Sequence, residues 1–219
     1  MTNPTDISTP SISDQVDICI LGTLDYQDVW DRMRKFNEQR TQATKDEIWI
    51  VEHPPVFTLG LNGKADHILD AKNIPVIKSD RGGQVTYHGP GQLVAYILMD
   101  LERRHWGVKK LVDKIEQSII DLLSEYSIDA GRKEGAPGVY VNEAKVAALG
   151  LRVKRGCSYH GLSLNVEMDL SPFQQINPCG YADLASAQMS ELAPDINIKE
   201  VTTKLISHLN SQLYENLES

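Results

Sequence analysis

The sequence predicts an α+β fold in which amphipathic helices cover a mixed or antiparallel sheet. Three segments place apolar side chains at helical spacing, and short β-rich runs outnumber them. Between residues 139 and 166 the runs are separated only by turns, without any helical pattern. This arrangement favours antiparallel or mixed pairing over repeated strand-helix-strand units.

The three helices are predicted over residues 26–41, 108–126 and 198–217. The first is polar but carries Val29, Met33 and Phe36 on one side, and the third repeats an apolar residue every four positions from Val201 to Leu213. Strands are predicted over residues 18–21, 48–52, 56–59, 76–77, 93–99, 138–141, 145–149 and 159–166. All three helices are predicted to pack on the sheet with one buried apolar face.

Length and composition set the class of protein. The chain has 219 residues and a formal net charge of −8. We expect one domain over residues 16–219, after a flexible tail at residues 1–15 that is rich in Ser, Thr and Pro. No apolar run approaches the roughly 18 residues that span a bilayer, and the tail lacks the pattern of a secretion signal. We therefore expect a cytoplasmic protein that binds neither membranes nor, given its acidity, nucleic acid.

The three cysteines show no disulfide spacing, which fits a reducing compartment. Cys179 is flanked by Pro178 and Gly180, so its thiol is held in a sharp turn and is the candidate nucleophile. Cys19 and Cys157 lie in or beside strand-like sequence, where a free cysteine usually acts as a small hydrophobe.

A thiol of ordinary pKa is mostly protonated at neutral pH, so a nucleophilic cysteine needs a base or a cation nearby. His88 and His160 stand in glycine-rich sequence and are candidates, although spacing alone fixes no Cys-His pair. Lys145 precedes the small and apolar residues 146–150 and is predicted at the mouth of a buried strand. It is equally open whether this lysine acts as a base or extends into solvent.

A metal site is not expected. The spacing of Cys157 and His160 resembles half of a zinc site, with Cys179 as a third ligand, but the second closely spaced pair of a structural site is missing.

The densest signal is a stretch with four glycines at residues 81–92. A phosphate-binding loop is one interpretation, but a Lys-Ser or Lys-Thr pair is absent and an apolar strand follows instead of a helix. An ordinary glycine-rich hairpin is another. A loop in which backbone approaches a ligand is the third.

Four motifs in order resemble the lipoyl(octanoyl) transferase family. They are the stretch at residues 81–92, the run from Lys145 to Gly150, residues 155–161, and Asn177-Pro178-Cys179-Gly180. The similarity extends over about residues 46–181, and the tail and last helix are not diagnostic. It implies a fold similar to the catalytic domain of biotin and lipoate protein ligases.

The resemblance also implies an activity. An octanoyl group would pass from acyl carrier protein to Cys179 as a thioester, and then to a lysine ε-amine of a lipoyl domain, with Lys145 lowering the pKa of the thiol and later accepting a proton. The acceptors would be lipoyl domains of 2-oxoacid dehydrogenase complexes and the glycine cleavage H protein. Neither ATP nor a bound cofactor would be needed, because a thioester is already activated.

Substrate-binding segments follow from the same resemblance. They correspond to Arg81, Gly82, Gly83, Gln84, Val85, Thr86, Tyr87, His88, Ala148, Leu149, Gly150, Gly161, Leu162 and Ser163. Basic residues 152–155 would dock the acidic carrier protein. Two alternatives remain: an ATP-dependent lipoate or octanoate ligase on the same scaffold, which would not need Cys179, and a non-catalytic acyl-binding module.

Overall fold

A computed structural model describes residues 15–177 and 185–215, and these residues form two sheets with three α-helices. The strands, β1 to β9 in chain order, are Val16–Thr23, Asp46–Glu52, Val56–Leu59, Val76–Lys78, Val85–His88, Gln92–Leu98, Gly138–Val141, Ala144–Lys154 and Cys157–Asn165. The helices are α1 (Tyr26–Gln39), α2 (Val108–Glu125) and α3 (Ile198–Asn210), and a π-turn at Ser211–Glu215 continues α3. The predicted α+β class is confirmed.

Both sheets are mixed. Within the described residues, the larger sheet has the order β1-β2-β6-β9-β8-β7, and the smaller has the order β4-β3-β5. The pairs β1/β2 and β3/β4 are parallel, whereas the remaining neighbours are antiparallel. The run of strands from β7 to β9 without an intervening helix is therefore antiparallel, as the short turns predict.

Strand β6 is buried along its whole length because both faces of the large sheet are covered. Leu93, Ala95 and Ile97 face one hydrophobic cluster, while Val94 and Tyr96 face another. This two-sided burial explains why the strand reads as a nearly unbroken apolar run instead of an alternating one.

The helices supply those two covers. Val29 and Met33 of α1 are fully buried against Trp49 and Tyr96 on one face. The apolar stripes of α2 and α3 pack on the other face, in the larger cluster. The Asn197 side chain caps α3 by accepting hydrogen bonds from Lys199 N at 2.9 Å and Glu200 N at 3.4 Å.

The structure differs from the sequence prediction mainly at β5. Val85–His88 pairs with β3, whereas the sequence predicts that these residues belong to a glycine-rich loop. Four residues between glycines are too few for a periodic signal. Strand β8 also extends to Lys154, five residues past the predicted end. The expected tail lies almost entirely outside the described residues, and the single-domain division stays a prediction.

Candidate active site

A cavity of about 1190 Å³ lies against both sheets and is the candidate site. Its walls come from strands β5 to β9, from the starts of α1 and α2, and from the loops at residues 81–84 and 133–137. Large concave pockets with a few polar groups are the usual place for a small-molecule substrate.

The segments predicted to bind substrate converge on this cavity. Its lining includes Arg81, Gly82, Gly83, Gln84, Val85, Thr86, His88, Ala148, Leu149, Gly150, Gly161, Leu162 and Ser163, and also Lys145. Tyr87 is placed elsewhere: its ring packs 5.5 Å from Phe57 and 5.6 Å from Phe173. Successive side chains of a strand point to opposite faces, so β5 turns Thr86 and His88 toward the cavity and Tyr87 toward the core of the small sheet.

Arg81 is turned inward and holds the glycine-rich stretch together. Its guanidinium donates to the Thr58 hydroxyl at 2.9 Å, to the Gln84 carbonyl at 2.8 Å and to the Gly82 carbonyl at 2.8 Å. The Gly82 N–H in turn donates to the Leu151 carbonyl of β8 at 2.9 Å. A Cβ on Gly82 would lie 2.9 Å from that carbonyl oxygen, so glycine is what lets the loop meet the strand here.

Lys145 lies at the margin of the cavity, as the second residue of β8. Its Nζ donates to the Pro137 carbonyl at 3.3 Å and lies 5.2 Å from the centre of the Tyr140 ring. A Cβ on Gly138 would lie 3.4 Å from the same Nζ. The ammonium group is therefore positioned by β7 and the loop that precedes it.

Cys179, the predicted nucleophile, lies outside the described residues. The chain that follows it returns to Lys145: the Lys145 N–H donates to the Ala185 carbonyl at 2.8 Å, and the Ala187 N–H donates to the Lys145 carbonyl at 3.0 Å. Phe173 and Ser186, which flank the stretch that contains Cys179, both line the cavity.

The two described cysteines, Cys19 and Cys157, are half-buried and do not line the cavity. Burial raises the pKa of both thiols, and nearby carboxylates, Glu47 for Cys19 and Asp100 for Cys157, raise it further. A raised pKa lowers the thiolate fraction at neutral pH, which is the opposite of what a nucleophile requires.

Beneath the cavity, a chain of hydrogen bonds connects β5 to the backbone of Lys145. The His88 Nδ1–H donates to Gln92 Oε1 at 2.7 Å, and the Gln92 amide donates to Asn165 Oδ1 at 2.9 Å. The Asn165 amide then donates to the Ala187 carbonyl at 2.9 Å. Since Ala187 pairs with Lys145, this network joins the glycine-rich segment to the strand that carries the lysine.

The buried histidines beside the cavity are neutral at neutral pH. Burial lowers the pKa of His88 to about 3, and the neighbouring His53 lowers it further. Burial also lowers the pKa of His53 and His160. A neutral imidazole has one donor and one acceptor nitrogen, and at His53 both are used, toward the Leu24 carbonyl and the Tyr96 hydroxyl.

Asp80 supports His160 of the cavity lining, and the sequence prediction missed it. Its carboxylate accepts hydrogen bonds from His160 Nε2 at 3.0 Å, from Trp30 Nε1 at 2.8 Å and from the Tyr159 hydroxyl. Burial opposes its ionisation, but these three donors outweigh it and hold the pKa of Asp80 well below its usual range. Its position directly before the glycine-rich stretch is the signal that could have identified it.

No helix in the described parts of the chain is long and apolar enough to cross a membrane. Over the same residues, no three side chains of His, Cys, Asp or Glu converge as a metal site would require.

Comparison with known proteins identifies the class. The chain belongs to the family described as the lipoyl protein ligase A/B catalytic domain, which it matches over residues 25–210. It is 59% identical over 193 residues to the octanoyltransferase of Dechloromonas aromatica, covering 88% of this chain and 94% of that protein. It is 54% identical over 199 residues to the octanoyltransferase of Chromobacterium violaceum, covering 91% and 96%.

Solved structures confirm the fold. Lipoate-protein ligase A bound with ATP has a TM-score of 0.77 at 14% identity, over 91% of this chain and 86% of that one. The biotin protein ligase of Aquifex aeolicus has a TM-score of 0.54 at 14% identity, over 92% and 71%. The predicted resemblance to octanoyltransferases and to the ligase fold is thus confirmed, and the chain is an acyltransferase of a lipoate-related family.

Proposed function

We propose that this chain transfers an octanoyl group from octanoyl-acyl carrier protein, through a thioester on Cys179, to a lysine ε-amine of a lipoyl domain. Neither ATP nor a bound cofactor takes part. The names of the relatives support the octanoyl transfer. One solved neighbour, a two-part lipoate protein ligase, is described together with its E2 lipoyl domain, which supports a lipoyl domain as the acceptor here.

One observation carries the proposal: a single cavity is lined by three of the predicted substrate-binding segments and by Lys145. The backbone of Lys145 pairs with Ala185 and Ala187, just after the stretch that contains Cys179. This pairing supports a site in which the thiol and the ammonium group act together.

In the first half-reaction, the Cys179 thiolate attacks the carbonyl carbon of the carrier thioester. The new carbon–sulfur bond gives a tetrahedral oxyanion; its collapse breaks the bond to the pantetheine sulfur, and the departing thiolate takes a proton from the Lys145 ammonium. In the second, the neutral Lys145 accepts a proton from the incoming lysine as that amine attacks the acyl-Cys179. The Cys179 thiolate leaves, so both half-reactions use one site.

The backbone of β8 offers a donor for the oxyanion. The Leu151 carbonyl accepts from Gly82, so the polar groups of Leu151 point away from β9. Along a strand, the direction of the backbone N–H and C=O groups repeats every two residues. The Leu149 N–H therefore also points away from β9. Strand β7 pairs with β8 only as far as Ala148, so no strand of the described sheets lies beyond Leu149 on that side. We assign this N–H the stabilisation of the tetrahedral intermediate.

Intact-protein mass spectrometry tests the proposal. Incubation with octanoyl carrier protein in the absence of ATP should give an octanoyl adduct on the parent chain and on Cys157→Ser, the matched control, but not on Cys179→Ser. Adding a lipoyl domain should then discharge the adduct. Transfer that requires ATP and survives Cys179→Ser would establish a ligase instead, and carrier binding without any adduct would establish a non-catalytic module.

A further inference from the structure

The side chains on the floor of the cavity change abruptly in size from one strand of the sheet to another. Two cross-strand rows run along it: Ala148, Ser163 and Val94 form one, which Gly138 continues at the margin, and Gly150, Gly161 and Tyr96 form the other. Residues on β7, β8 and β9 are Gly, Ala or Ser, whereas those on β6 are Val and Tyr. A shallow trough therefore runs across three strands and ends against β6.

The trough ends at aromatic side chains, which we call the aromatic wall: Tyr26, His88 and Tyr96, with His53 behind them. The first three line the cavity. The His53 ring lies 5.3 Å from Tyr26, 5.9 Å from His88 and 5.8 Å from Tyr96, so it contacts every other member. All four are buried.

Hydrogen bonds hold His53, Tyr96 and His88 in place, and ring packing holds Tyr26. The His53 Nδ1–H donates to the Leu24 carbonyl at 2.6 Å, which leaves Nε2 as an acceptor for the Tyr96 hydroxyl at 2.7 Å. His88 stacks on Tyr26 with ring centres 5.7 Å apart, and its own Nδ1–H is bound by Gln92. A ring fixed by both packing and hydrogen bonds does not move aside cheaply.

The span of the trough matches a medium acyl chain. Lys145 Nζ lies beside Gly138 on β7, and β6 is three strands away, which is about 14 Å at about 4.8 Å per strand. An extended eight-carbon chain, a zigzag of carbon–carbon bonds of about 1.5 Å, is about 9 Å long. The remaining length is taken up by the thioester at one end and the aromatic side chains at the other.

We propose that Tyr26 and Tyr96 determine the length of the acyl chain by ending the trough. This inference rests on the proposed function, since it assigns the reacting carbonyl to the neighbourhood of Lys145. A longer chain would have to displace a ring of the wall or bend back into the trough. Either change forfeits contacts that the eight-carbon chain makes.

The test compares kcat/KM for octanoyl, decanoyl and dodecanoyl carrier protein. Tyr26→Leu and Tyr96→Val shorten the wall, and Tyr26→Phe and Tyr96→Phe keep the rings. Phe57→Leu removes a ring from the fully buried core of the small sheet, outside the cavity lining, and controls for lost volume in general. Each methylene that gains a buried site is worth about fourfold, so the decanoyl-to-octanoyl ratio should rise about fifteenfold in the two shortened variants. It should stay within about twofold in the three controls.

A parent-like ratio in shortened variants that fold would overturn the role of the wall. Circular dichroism and octanoyl transfer identify the variants that fold. If the parent chain transfers nothing, the proposed function fails, and calorimetric binding of S-acyl-pantetheines with eight, ten and twelve carbons then decides the wall separately. A shift of binding preference toward longer chains in Tyr26→Leu supports it, and an unchanged preference rejects it.

Discussion

The Asn165 side chain joins Gln92 to the Ala187 carbonyl, accepting from the first at 2.9 Å and donating to the second at 2.9 Å. Through these two bonds, β9 connects the histidine of β5 to the segment that pairs with Lys145. The position of the lysine strand therefore depends on an amide that also lines the cavity.

Replacing this amide tests that dependence. Asn165→Leu keeps the size of the side chain but leaves the Gln92 amide and the Ala187 carbonyl without a partner, which should lower the free energy of unfolding by about 2–4 kcal/mol. We expect kcat for octanoyl transfer to fall about tenfold while KM for the carrier changes little. Asn37→Leu, at a buried asparagine on α1 away from the cavity, should reduce stability without this loss of kcat. Equal kcat values for the two variants would contradict the positioning role.

The neutral histidines predict acid sensitivity. His88 has a pKa of about 3 in the folded chain and about 6.5 when unfolded, so the unfolded state binds more protons between these pH values. Stability should therefore decrease as the pH falls from about 6.5, by about 1.4 kcal/mol per pH unit for this one residue. Urea unfolding between pH 7 and 4 should show a slope reduced by about that amount in His88→Gln. His105→Asn, at an exposed histidine, should keep the parent slope.

Asp46 is a buried carboxylate that ties together distant parts of the chain. It pairs with Arg40 at 2.5 Å and Arg103 at 2.8 Å, and it accepts from Asp100 N at 2.9 Å and the Tyr214 hydroxyl at 3.3 Å. Asp46→Asn leaves buried guanidinium charge uncompensated and should lower the free energy of unfolding by about 3 kcal/mol. Asp17→Asn breaks an exposed pair with Lys45 and should cost at most about 1 kcal/mol. Similar costs in chemical denaturation would refute the assignment.

Two glycines with positive φ allow the cost of close packing to be distinguished from the cost of backbone strain. Gly91 has a φ of 82°, and an added Cβ would overlap the Glu167 carbonyl, whereas Gly135 has a φ of 72° with open space around it. Gly135→Ala should cost about 1–2 kcal/mol from the left-handed conformation alone. Gly91→Ala should cost several kcal/mol more or prevent folding, as thermal unfolding would show. Equal stability of Gly91→Ala and Gly135→Ala would contradict the close approach of the Gly91 and Glu167 backbones.

The basic segment at residues 152–155 is the predicted docking surface for the carrier. Lys154 and Arg155 are exposed at the end of β8, where Lys154 Nζ lies 3.6 Å from Glu38. Lys154→Glu with Arg155→Glu should raise KM for the carrier about tenfold and weaken its dependence on salt, with kcat nearly unchanged. Lys45→Glu, on an exposed lysine outside this segment, is the control. Unchanged carrier kinetics in the double variant would exclude this surface.

The periodic elements could be predicted from the sequence because burial imposes a period. A helix with one buried face, such as α2, shows an apolar stripe, and a strand buried on both faces, such as β6, shows an unbroken apolar run. The sequence contains both patterns. The motifs around residues 81 and 145 also marked segments that line the cavity. Their roles in binding and catalysis stay predictions, as does the role of Cys179.

Contacts between distant residues could not be predicted in the same way. Asp80 meets Trp30 and His160, which are 50 and 80 positions away, and a single sequence holds no record of such pairs. Nor does glycine content say what approaches the backbone. Gly89 packs against the Tyr87 ring and Gly91 against Glu167, so half of the glycines in the 81–92 stretch serve the protein's own packing and do not line the cavity.

The two-sided burial of β6 has a consequence for substrate choice. In the observed alignment Tyr96 faces α1 and the cavity, and Ala95 and Ile97 face α2 and α3. A slip of one residue would reverse every side chain of the strand, placing Ala95 at the end of the trough and a tyrosine among leucines. If the wall sets acyl length, the strand register that packs the core also determines which acyl chains are accepted. A chain with the wrong register would be too unstable to fold, so it would not transfer acyl groups of the wrong length.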